Sequence, residues 1–310
     1  MQFRVGNFNL RNLALPNFQF YEQLKYSQSE YEEKCAWCTQ QLQTMSADIV
    51  SFQEVFHFEA LQKICEESML YRELPICPIN LVGEPRVGLV SKFPIKEWSL
   101  IEDLPPNIQN HAFQSFRRPL LKAIIELPNN TLLRVFAIHL KSKRALFLKD
   151  DNTHELQDIS AGLARSLTLR SLEACAIRQF ISEDPTIPTV VVGDFNDTAH
   201  SVTTQIIRGS HPPMGIPPEA RQKIIDAQLK DVHHFIQKYK SKDIHFTYIY
   251  DGIYESVDHI FVSRHFYAPE QKGNIIYFQS YTDHLSDRVL FPQSKITSDH
   301  GQIVATLQLE

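Results

Sequence analysis

The 310-residue sequence lacks the features that mark membrane-spanning and secreted proteins. No apolar run approaches the roughly 20 residues that a helix needs to cross a bilayer. The first ten residues, MQFRVGNFNL, do not combine a basic start with a long apolar stretch, so they do not resemble a signal peptide. We therefore expect a cytoplasmic protein without stable membrane association, although export by a route that needs no N-terminal signal stays open.

An excess of positive charge is also missing, and cysteines are few. The chain has 31 Lys and Arg against 36 Asp and Glu, a formal net charge of −5. This balance excludes a protein that holds nucleic acid through overall basicity, but an enzyme could still contact a few phosphates locally. The five cysteines are an odd number, which predicts reduced thiols. Cys35 and Cys38 form a C-x-x-C pair that we interpret as helix packing.

Neither an internal repeat nor a low-complexity linker divides the chain, so we expect one domain over residues 1–310. Alternating or continuous apolar residues predict strands, among them residues 2–9, 47–55, 120–127, 131–140, 187–194, 256–263 and 301–309. Apolar residues at helical spacing predict helices over residues 30–45, 57–69 and 160–182, whereas residues 99–115 are expected to be irregular. This mixture is typical of an α/β fold, and we predict a four-layer α/β sandwich in which two packed mixed β-sheets are flanked by helices.

Polar residues lie at or just beyond the ends of apolar segments in five places: Asn9, Glu54, His139, Asp194 with Asn196, and Asp299 with His300. Strand ends are where a rigid scaffold presents catalytic groups. Carboxylate oxygens suit Mg²⁺, and Asn and His can hydrogen-bond a phosphoryl group and the attacking water. Each residue alone has a plainer interpretation, such as a helix N-cap for Asp194. Their joint occurrence favours metal-assisted phosphoryl chemistry.

The order of five motifs carries a family resemblance. NFN (7–9), QE (53–54), GDFND (193–197), SVDHIFVS (256–263) and SDH (298–300) together resemble the endonuclease/exonuclease/phosphatase superfamily. The resemblance spans residues 3 to 308, and GDFN with SDH is its most specific part. The segments AIHLKSKR (137–144) and VVVGDFNDTAHSVTTQIIRG (190–209) resemble deoxyribonuclease-like, bacterial members.

That resemblance implies a role for each motif residue. Glu54 would be the principal Mg²⁺ ligand, and Asn9 and Asp299 would help to hold the metal or its waters. Asp194 and Asn196 would orient and polarise the attacking water and support the leaving oxygen.

The histidines complete the implied site. Asp258 would fix the tautomer of His300 and favour its charged form. His139 would contact the scissile phosphate, although a structural histidine is the plainer alternative. Either Asp194 or His300 could be the general base. Weaker candidates for contacts with substrate phosphate are Lys141, Arg118 and Arg11. His233, His234 and His259 are interpreted as surface or packing residues.

The resemblance thus predicts a Mg²⁺-dependent phosphodiesterase, with Mn²⁺ as the alternative metal, that hydrolyses DNA or RNA as a monomer. A lipid or inositol-phosphate hydrolase of the same superfamily is one alternative, and a catalytically silent binding protein is another. SDRVLF (286–291) resembles an inositol-phosphatase motif, but SVDHIFVS already fills the expected place before SDH, which favours coincidence. A silent protein predicts the loss of a motif acid or histidine, whereas all are present here.

Overall fold

The computed structural model describes residues 1–21, 24–78, 83–209, 212–237, 245–292 and 294–310. Its strands are β1 (Gln2–Leu13), β2 (Ile49–Val55), β3 (Arg86–Ser91), β4 (Ile95–Asp103), β5 (Ser115–Glu126), β6 (Leu132–His139), β7 (Thr189–Asp194), β8 (Lys230–Asp231), β9 (Tyr248–Tyr250), β10 (Ile253–Glu255), β11 (Asp258–Val262), β12 (Asn274–Tyr281) and β13 (Gln302–Gln308). Its α-helices are α1 (Gln28–Met45), α2 (Phe58–Glu67), α3 (Leu156–Ser182), α4 (Val202–Arg208), α5 (Pro218–Asp226) and α6 (Val232–Gln237).

Two mixed sheets contain most of the strands. Sheet 1 has the order β12-β13-β1-β2-β3, and sheet 2 has the order β4-β5-β6-β7-β11-β8. Each sheet has one parallel pair near its middle, β1 with β2 and β6 with β7, surrounded by antiparallel neighbours. Strands β9 and β10 pair with each other in a small separate hairpin.

Side-chain alternation along the strands divides the apolar residues into three cores. Val190 and Val192 of β7 lie in the core between the two sheets, whereas Val191 lies in the core that sheet 2 shares with α3 and α4. A third core joins sheet 1 to α1 and α2 and contains the free cysteines Cys35 and Cys38. The predicted four-layer architecture, with two mixed sheets and flanking helices, is thus confirmed.

The long helices lie close to their predicted positions, but one strand was not expected. Helix α1 begins after Ser27, which forms a capping box with Glu30. The prediction of irregular structure over residues 99–115 was wrong for its first part, because β4 extends through Ile95–Asp103 and pairs with β5. Since β4 is an edge strand with mostly exposed side chains, it has no apolar alternation that would reveal it.

Strand direction gathers the predicted site residues at one rim. The parallel strands β1 and β2 both end there, as do β6 and β7, and His139 is the register partner of Asp194. Strand β11 runs antiparallel to β7, so Asp258 at its start also pairs with Asp194. Strand β13 runs antiparallel to β1, which brings Asp299 and His300, just before it, to the same rim.

A glycine permits the close approach of β6 and β7 at this rim. A Cβ added to Gly193 would lie 2.1 Å from the carbonyl oxygen of Ile138.

We expect Gly193→Ala to lower the free energy of unfolding by about 1–3 kcal/mol, as overpacked substitutions do, because the two strands must separate. Urea unfolding followed by circular dichroism measures this change. The control Gly215→Ala adds a Cβ with no atom within 4 Å, so its cost is limited to about 1–2 kcal/mol from its left-handed backbone. An unchanged midpoint for Gly193→Ala would contradict the close packing.

Candidate active site

A cavity of about 560 Å³ opens at the rim where the strands end. Eight of the eleven predicted site residues line it: Arg11, Glu54, Arg118, His139, Asp194, Asn196, Asp299 and His300. Asn9 and Asp258 lie buried behind the cavity wall and contact its residues. The structure therefore brings ten of the predicted residues together and leaves Lys141 apart.

Glu54 reaches the cavity through an irregularity in β2. Phe52 and Val55 are three residues apart but both lie in the core between sheet 1 and the helices, so Gln53 and Glu54 between them form a bulge with one extra residue. The φ of 60° at Glu54 is left-handed, a conformation that costs about 1–2 kcal/mol for a residue with a Cβ. The backbone N–H of Asn12, which is itself left-handed, donates to Oε2 of Glu54 at 3.1 Å. The bulge thus holds the carboxylate at the cavity wall.

The carboxylate of Asp194 lies at the bottom of the cavity and is 1% exposed. Asn9 Nδ2 donates to its Oδ2 at 3.1 Å, and the backbone N–H of Asn196 donates to its Oδ1 at 2.7 Å. The Nε2 atoms of His139 and His300 lie 3.4 and 3.8 Å from Oδ2. Burial raises the pKa of Asp194 to about 7, since the opposing charge of His300 compensates only in part. Asp194 can therefore exchange a proton near neutral pH.

His300 is held in its charged form by carboxylates on both sides. Its Nδ1 lies 2.9 Å from Oδ2 of Asp258. Burial alone would lower the pKa of His300, but the charges of Asp258 and Asp194 outweigh it and hold the pKa well above its ordinary value. Asn7 Nδ2 donates to the second oxygen of Asp258 at 2.9 Å, and Gln53 Nε2 donates to Oδ1 of Asn7 at 2.8 Å. A buried polar chain thus supports the imidazolium from behind.

His139 has the opposite protonation state. Its burial, together with the charges of Arg118 and His300, lowers the pKa of His139 well below the ordinary value. A neutral imidazole whose Nε2 faces the carboxylate of Asp194 carries its proton there, which leaves Nδ1 as the acceptor. That Nδ1 is buried and has no hydrogen-bond partner among the described residues.

Arg288 is the main cavity residue that the sequence pattern did not identify. Its Nη1 lies 2.6 Å from Oδ2 of Asp299, while Arg11 Nε lies 3.8 Å from Oδ1. These two guanidinium groups and the charge of His300 overcome the effect of burial and lower the pKa of Asp299. Arg288 belongs to SDRVLF, whose match to an inositol-phosphatase motif was interpreted as a coincidence. This segment nevertheless contributes a side chain to the cavity.

Lys141 does not line the cavity, although it was a candidate for contact with substrate phosphate. Its side chain is 6% exposed, and its ammonium donates to the carbonyl oxygens of Ser142 and Arg144. The cavity is lined instead by Lys143 and Arg144 from the same segment. Lys141 therefore shapes this segment rather than facing the cavity.

Glu173 of α3 ties the ends of two strands together behind the cavity. Its buried carboxylate accepts the backbone N–H of Arg117 at 2.8 Å and that of Lys141 at 2.7 Å. The amide of Arg117 precedes Arg118 near the start of β5. The amide of Lys141 follows His139, just beyond the end of β6. Nothing in the helical sequence pattern distinguished Glu173 from a solvated acid, because its partners are backbone groups distant in sequence.

The oxygen donors around the cavity suit a hard divalent cation. Carboxylates of Glu54, Asp194 and Asp299 and the amide of Asn196 line the same cavity, and Mg²⁺ prefers such oxygens together with water. Asp194, Asp258 and His300 also offer ligand atoms within 4.8 Å of one another. Since Nδ1 of His300 is already paired with Asp258, that trio fits a proton-transfer group better than a metal ligand set.

The raised pKa of His300 predicts a pH-dependent stability. The stabilisation is fully present below about pH 6.5, the ordinary histidine value, and is lost as pH rises through the raised pKa of the folded protein. We expect the free energy of unfolding, measured in urea with EDTA, to fall by up to about 1.4 kcal/mol per pH unit above pH 6.5. Asp258→Asn removes the principal stabilising charge, so the slope should flatten. Equal slopes in the two proteins would contradict the pairing.

Comparisons with known proteins agree with this geometry. A family model described as "Endonuclease/Exonuclease/phosphatase family" matches residues 35–300. The fold is similar to that of an endonuclease/exonuclease/phosphatase from Bacteroides vulgatus, with a TM-score of 0.59, 17% identity and 100% of both chains covered. The human Nocturnin catalytic domain with bound sulfate has a TM-score of 0.60 and 15% identity, with 100% of this chain and 94% of that chain covered.

A mannosyl-6-phosphatase from Bacteroides thetaiotaomicron is also similar, with a TM-score of 0.57, 16% identity, and 99% of this chain and 100% of that chain covered. At these identities the likenesses show a shared fold. No curated protein matches the sequence significantly. None of the described helices is long and apolar enough to cross a membrane.

Proposed function

The chain belongs to the endonuclease/exonuclease/phosphatase family, whose members are metal-dependent hydrolases of phosphoric esters, and we propose that it is a Mg²⁺-dependent phosphodiesterase that cleaves nucleic acid. The observation that carries this proposal is a pair of imidazoles, one neutral and one charged, whose Nε2 atoms lie 3.4 and 3.8 Å from the same oxygen of the buried Asp194 carboxylate. Phosphodiester hydrolysis needs a proton acceptor for water and donors for the phosphoryl oxygens, and this arrangement supplies both.

The metal would be held by the oxygen donors of the cavity wall. Glu54 is the principal ligand in this proposal, and Asp299 holds the ion or its waters. Asn9 supports them from behind the cavity wall, where its Oδ1 accepts the backbone N–H of Arg11. A bound divalent cation neutralises charge on the phosphoryl group and lowers the pKa of a coordinated water. Because Arg288 and Arg11 already neutralise Asp299, Glu54 is the less encumbered carboxylate of the two.

Proton transfer is assigned to Asp194 rather than to His300. Since His300 is held charged, it has no free nitrogen lone pair with which to accept a proton. Asp194 has a pKa of about 7, close to the operating pH that general-base catalysis favours. In this scheme Asp194 takes the proton of the attacking water, Asn196 orients that water, and His300 donates to a phosphoryl oxygen. The ring of His139 lies beside the scissile phosphate, while its Nε2–H faces Asp194.

Local charge supports a polyanionic substrate even though the whole chain is acidic. Among the residues that the structure describes, six cationic ones line the cavity: Arg11, Arg118, Lys143, Arg144, Arg288 and Lys295. The acidic ones in the same described lining are four: Glu54, Asp194, Glu255 and Asp299. The cavity is therefore positive before any metal binds, whereas the chain carries −5. This excess suits several phosphates rather than one.

Two accessible aromatic rings at the cavity favour a substrate with bases. Tyr21 is half exposed, and the ring of Tyr248 is partly buried beside Arg288. Both line the cavity, whereas the other aromatic lining residues Phe20 and Tyr26 are buried. Nucleobases stack on such rings without regard to sequence, a contact worth about 1–3 kcal/mol per base.

A phosphomonoesterase acting on a sugar or inositol phosphate is the second candidate. Arg288 favours it, because this residue of the SDRVLF segment lines the cavity, and one structure of similar fold is that of a mannosyl-6-phosphatase. The exposed ring of Tyr21 and the number of cations in the cavity favour the phosphodiesterase over this second candidate.

A substrate panel decides between these candidates. We expect Mg²⁺-dependent cleavage of plasmid DNA, of DNA or RNA oligonucleotides and of bis-p-nitrophenyl phosphate, with EDTA abolishing each reaction. Mannose 6-phosphate, inositol polyphosphates, sphingomyelin and p-nitrophenyl phosphate are tested beside them, and Mn²⁺ replaces Mg²⁺ in a parallel series. Faster release of phosphate from the monoesters than cleavage of any diester would reverse the order of the two candidates. An absence of all turnover would favour a silent binding protein.

Two carboxylate variants test the assigned roles. Glu54→Gln should weaken Mg²⁺ activation and lower kcat/KM by at least about 10³-fold, because the principal ligand charge is lost. Asp194→Asn should lower kcat by about 10²–10⁴-fold, the usual contribution of a general base, with Mg²⁺ affinity retained. Glu97→Gln, an exposed residue of the edge strand β4, is the matched control. Wild-type rates in both site variants would refute the assignment.

A further inference from the structure

A second group of metal-ligating side chains lies at the far edge of sheet 2, where β8 passes directly into α6. Asp231 ends β8 and is 6% exposed, and His233 and His234 follow on the first turn of α6. Each of the three offers one ligand atom, and all three atoms lie within 4.8 Å of one another. The catalytic cavity is lined by none of them among its described residues.

The carboxylate of Asp231 is fixed in place from two directions. Its Oδ1 accepts the backbone N–H of His233 at 2.9 Å and that of His234 at 3.4 Å, so the acid is bound to the start of the helix. Its Oδ2 lies 3.2 Å from Nδ1 of the buried His259 and 3.9 Å from Nδ1 of His234. Such outer contacts hold a ligating carboxylate in one orientation.

Two further histidines surround this trio. The ring of His245 lies 4.2 Å from that of His233, and the ring of His200 lies 4.9 Å from that of His234, measured between centroids. His245 Nδ1 is buried and has no hydrogen-bond partner among the described residues. Packing against Phe278 accounts for the ring carbons of His233 and His245, but a buried nitrogen without a partner is costly and calls for one.

We propose that Asp231, His233 and His234 bind a divalent transition metal ion, Zn²⁺ first, at a site separate from the catalytic one. Imidazole nitrogens with one carboxylate suit Zn²⁺ and similar borderline ions, whereas the all-oxygen donors of the catalytic cavity suit Mg²⁺. His245 is the fourth protein ligand in this proposal, since its nitrogen lacks a partner and its ring adjoins His233.

The proposed ion would lie beside a contact between parts of the chain that are distant in sequence. His259, the partner of Asp231, also lies 3.0 Å through Nε2 from the carbonyl oxygen of Asp197. Asp197 belongs to the GDFND segment that contains Asp194, and His200 follows three residues later. An ion at the Asp231 site would therefore stabilise the edge strand, α6 and the segment behind the general base together.

Metal binding at constant high Mg²⁺ tests the proposal. Metal-free full-length protein is dialysed against micromolar Zn²⁺ with millimolar Mg²⁺, and bound zinc is measured by mass spectrometry. We expect one Zn²⁺ per chain in the wild type and in Glu54→Gln, and at least a 100-fold weaker affinity in His233→Ala/His234→Ala. His245→Ala should weaken binding by less than the double variant does, because three of the four proposed ligands remain. Co²⁺ provides an optical measure of histidine ligation in the same proteins.

Controls separate loss of binding from loss of folding. Circular dichroism checks each variant, and His234→Ala alone is the alternative if the double variant does not fold, because that side chain is 41% exposed. Zn²⁺ should also raise the melting temperature of the wild type, since it binds the folded state, and not that of the histidine variants. No retained Zn²⁺ in the wild type, or Zn²⁺ that is lost in Glu54→Gln and kept in the histidine variants, would overturn the proposal.

Discussion

The carboxylate of Asp194 is an ionisable group with almost no access to water, and the rest of the rim is arranged around that burial. An isolated buried carboxylate is costly, so its oxygens are occupied by Asn9, by the backbone of Asn196 and by the neighbouring imidazoles. These contacts compensate only in part for the loss of hydration, and the pKa of Asp194 is therefore raised to about 7. A proton can therefore leave and return at neutral pH, so the burial of this carboxylate is what suits it to proton transfer.

The same surroundings drive the two histidines in opposite directions. His300 is paired with Asp258, which helps to raise its pKa and keeps it charged. Burial, together with the charges of Arg118 and His300, lowers the pKa of His139 and keeps it neutral. Titratable groups whose environments separate their pKa values are the usual sign of divided acid and base roles. One imidazole supplies positive charge, and the other supplies a neutral donor.

Much of the rim could be predicted from sequence because strand ends are local features. Glu54 and Asp194 close apolar segments, and the order of their motifs carried the family resemblance. Arg288, Glu173 and Asn7 were given no role, because none of them ends an apolar segment and their contacts are with Asp299, the amide of Lys141 and Asp258, which the sequence pattern does not link to them. Lys141 shows the converse, because closeness in sequence to His139 did not bring its ammonium to the cavity. The edge strand β4 was missed because edge strands need no apolar face.

Several polar contacts cross from one sheet to the other at the rim. Asn7 of β1 bonds to Asp258 of β11, and Asn9 of β1 bonds to Asp194 of β7. Apolar cores tolerate sliding by one side-chain ridge far better than hydrogen bonds do, because dispersion forces have no direction. These two amides consequently fix the position of sheet 1 relative to sheet 2. A shear of one sheet against the other by a single residue spacing would part them both, so mechanical register and catalytic competence would be lost in the same movement.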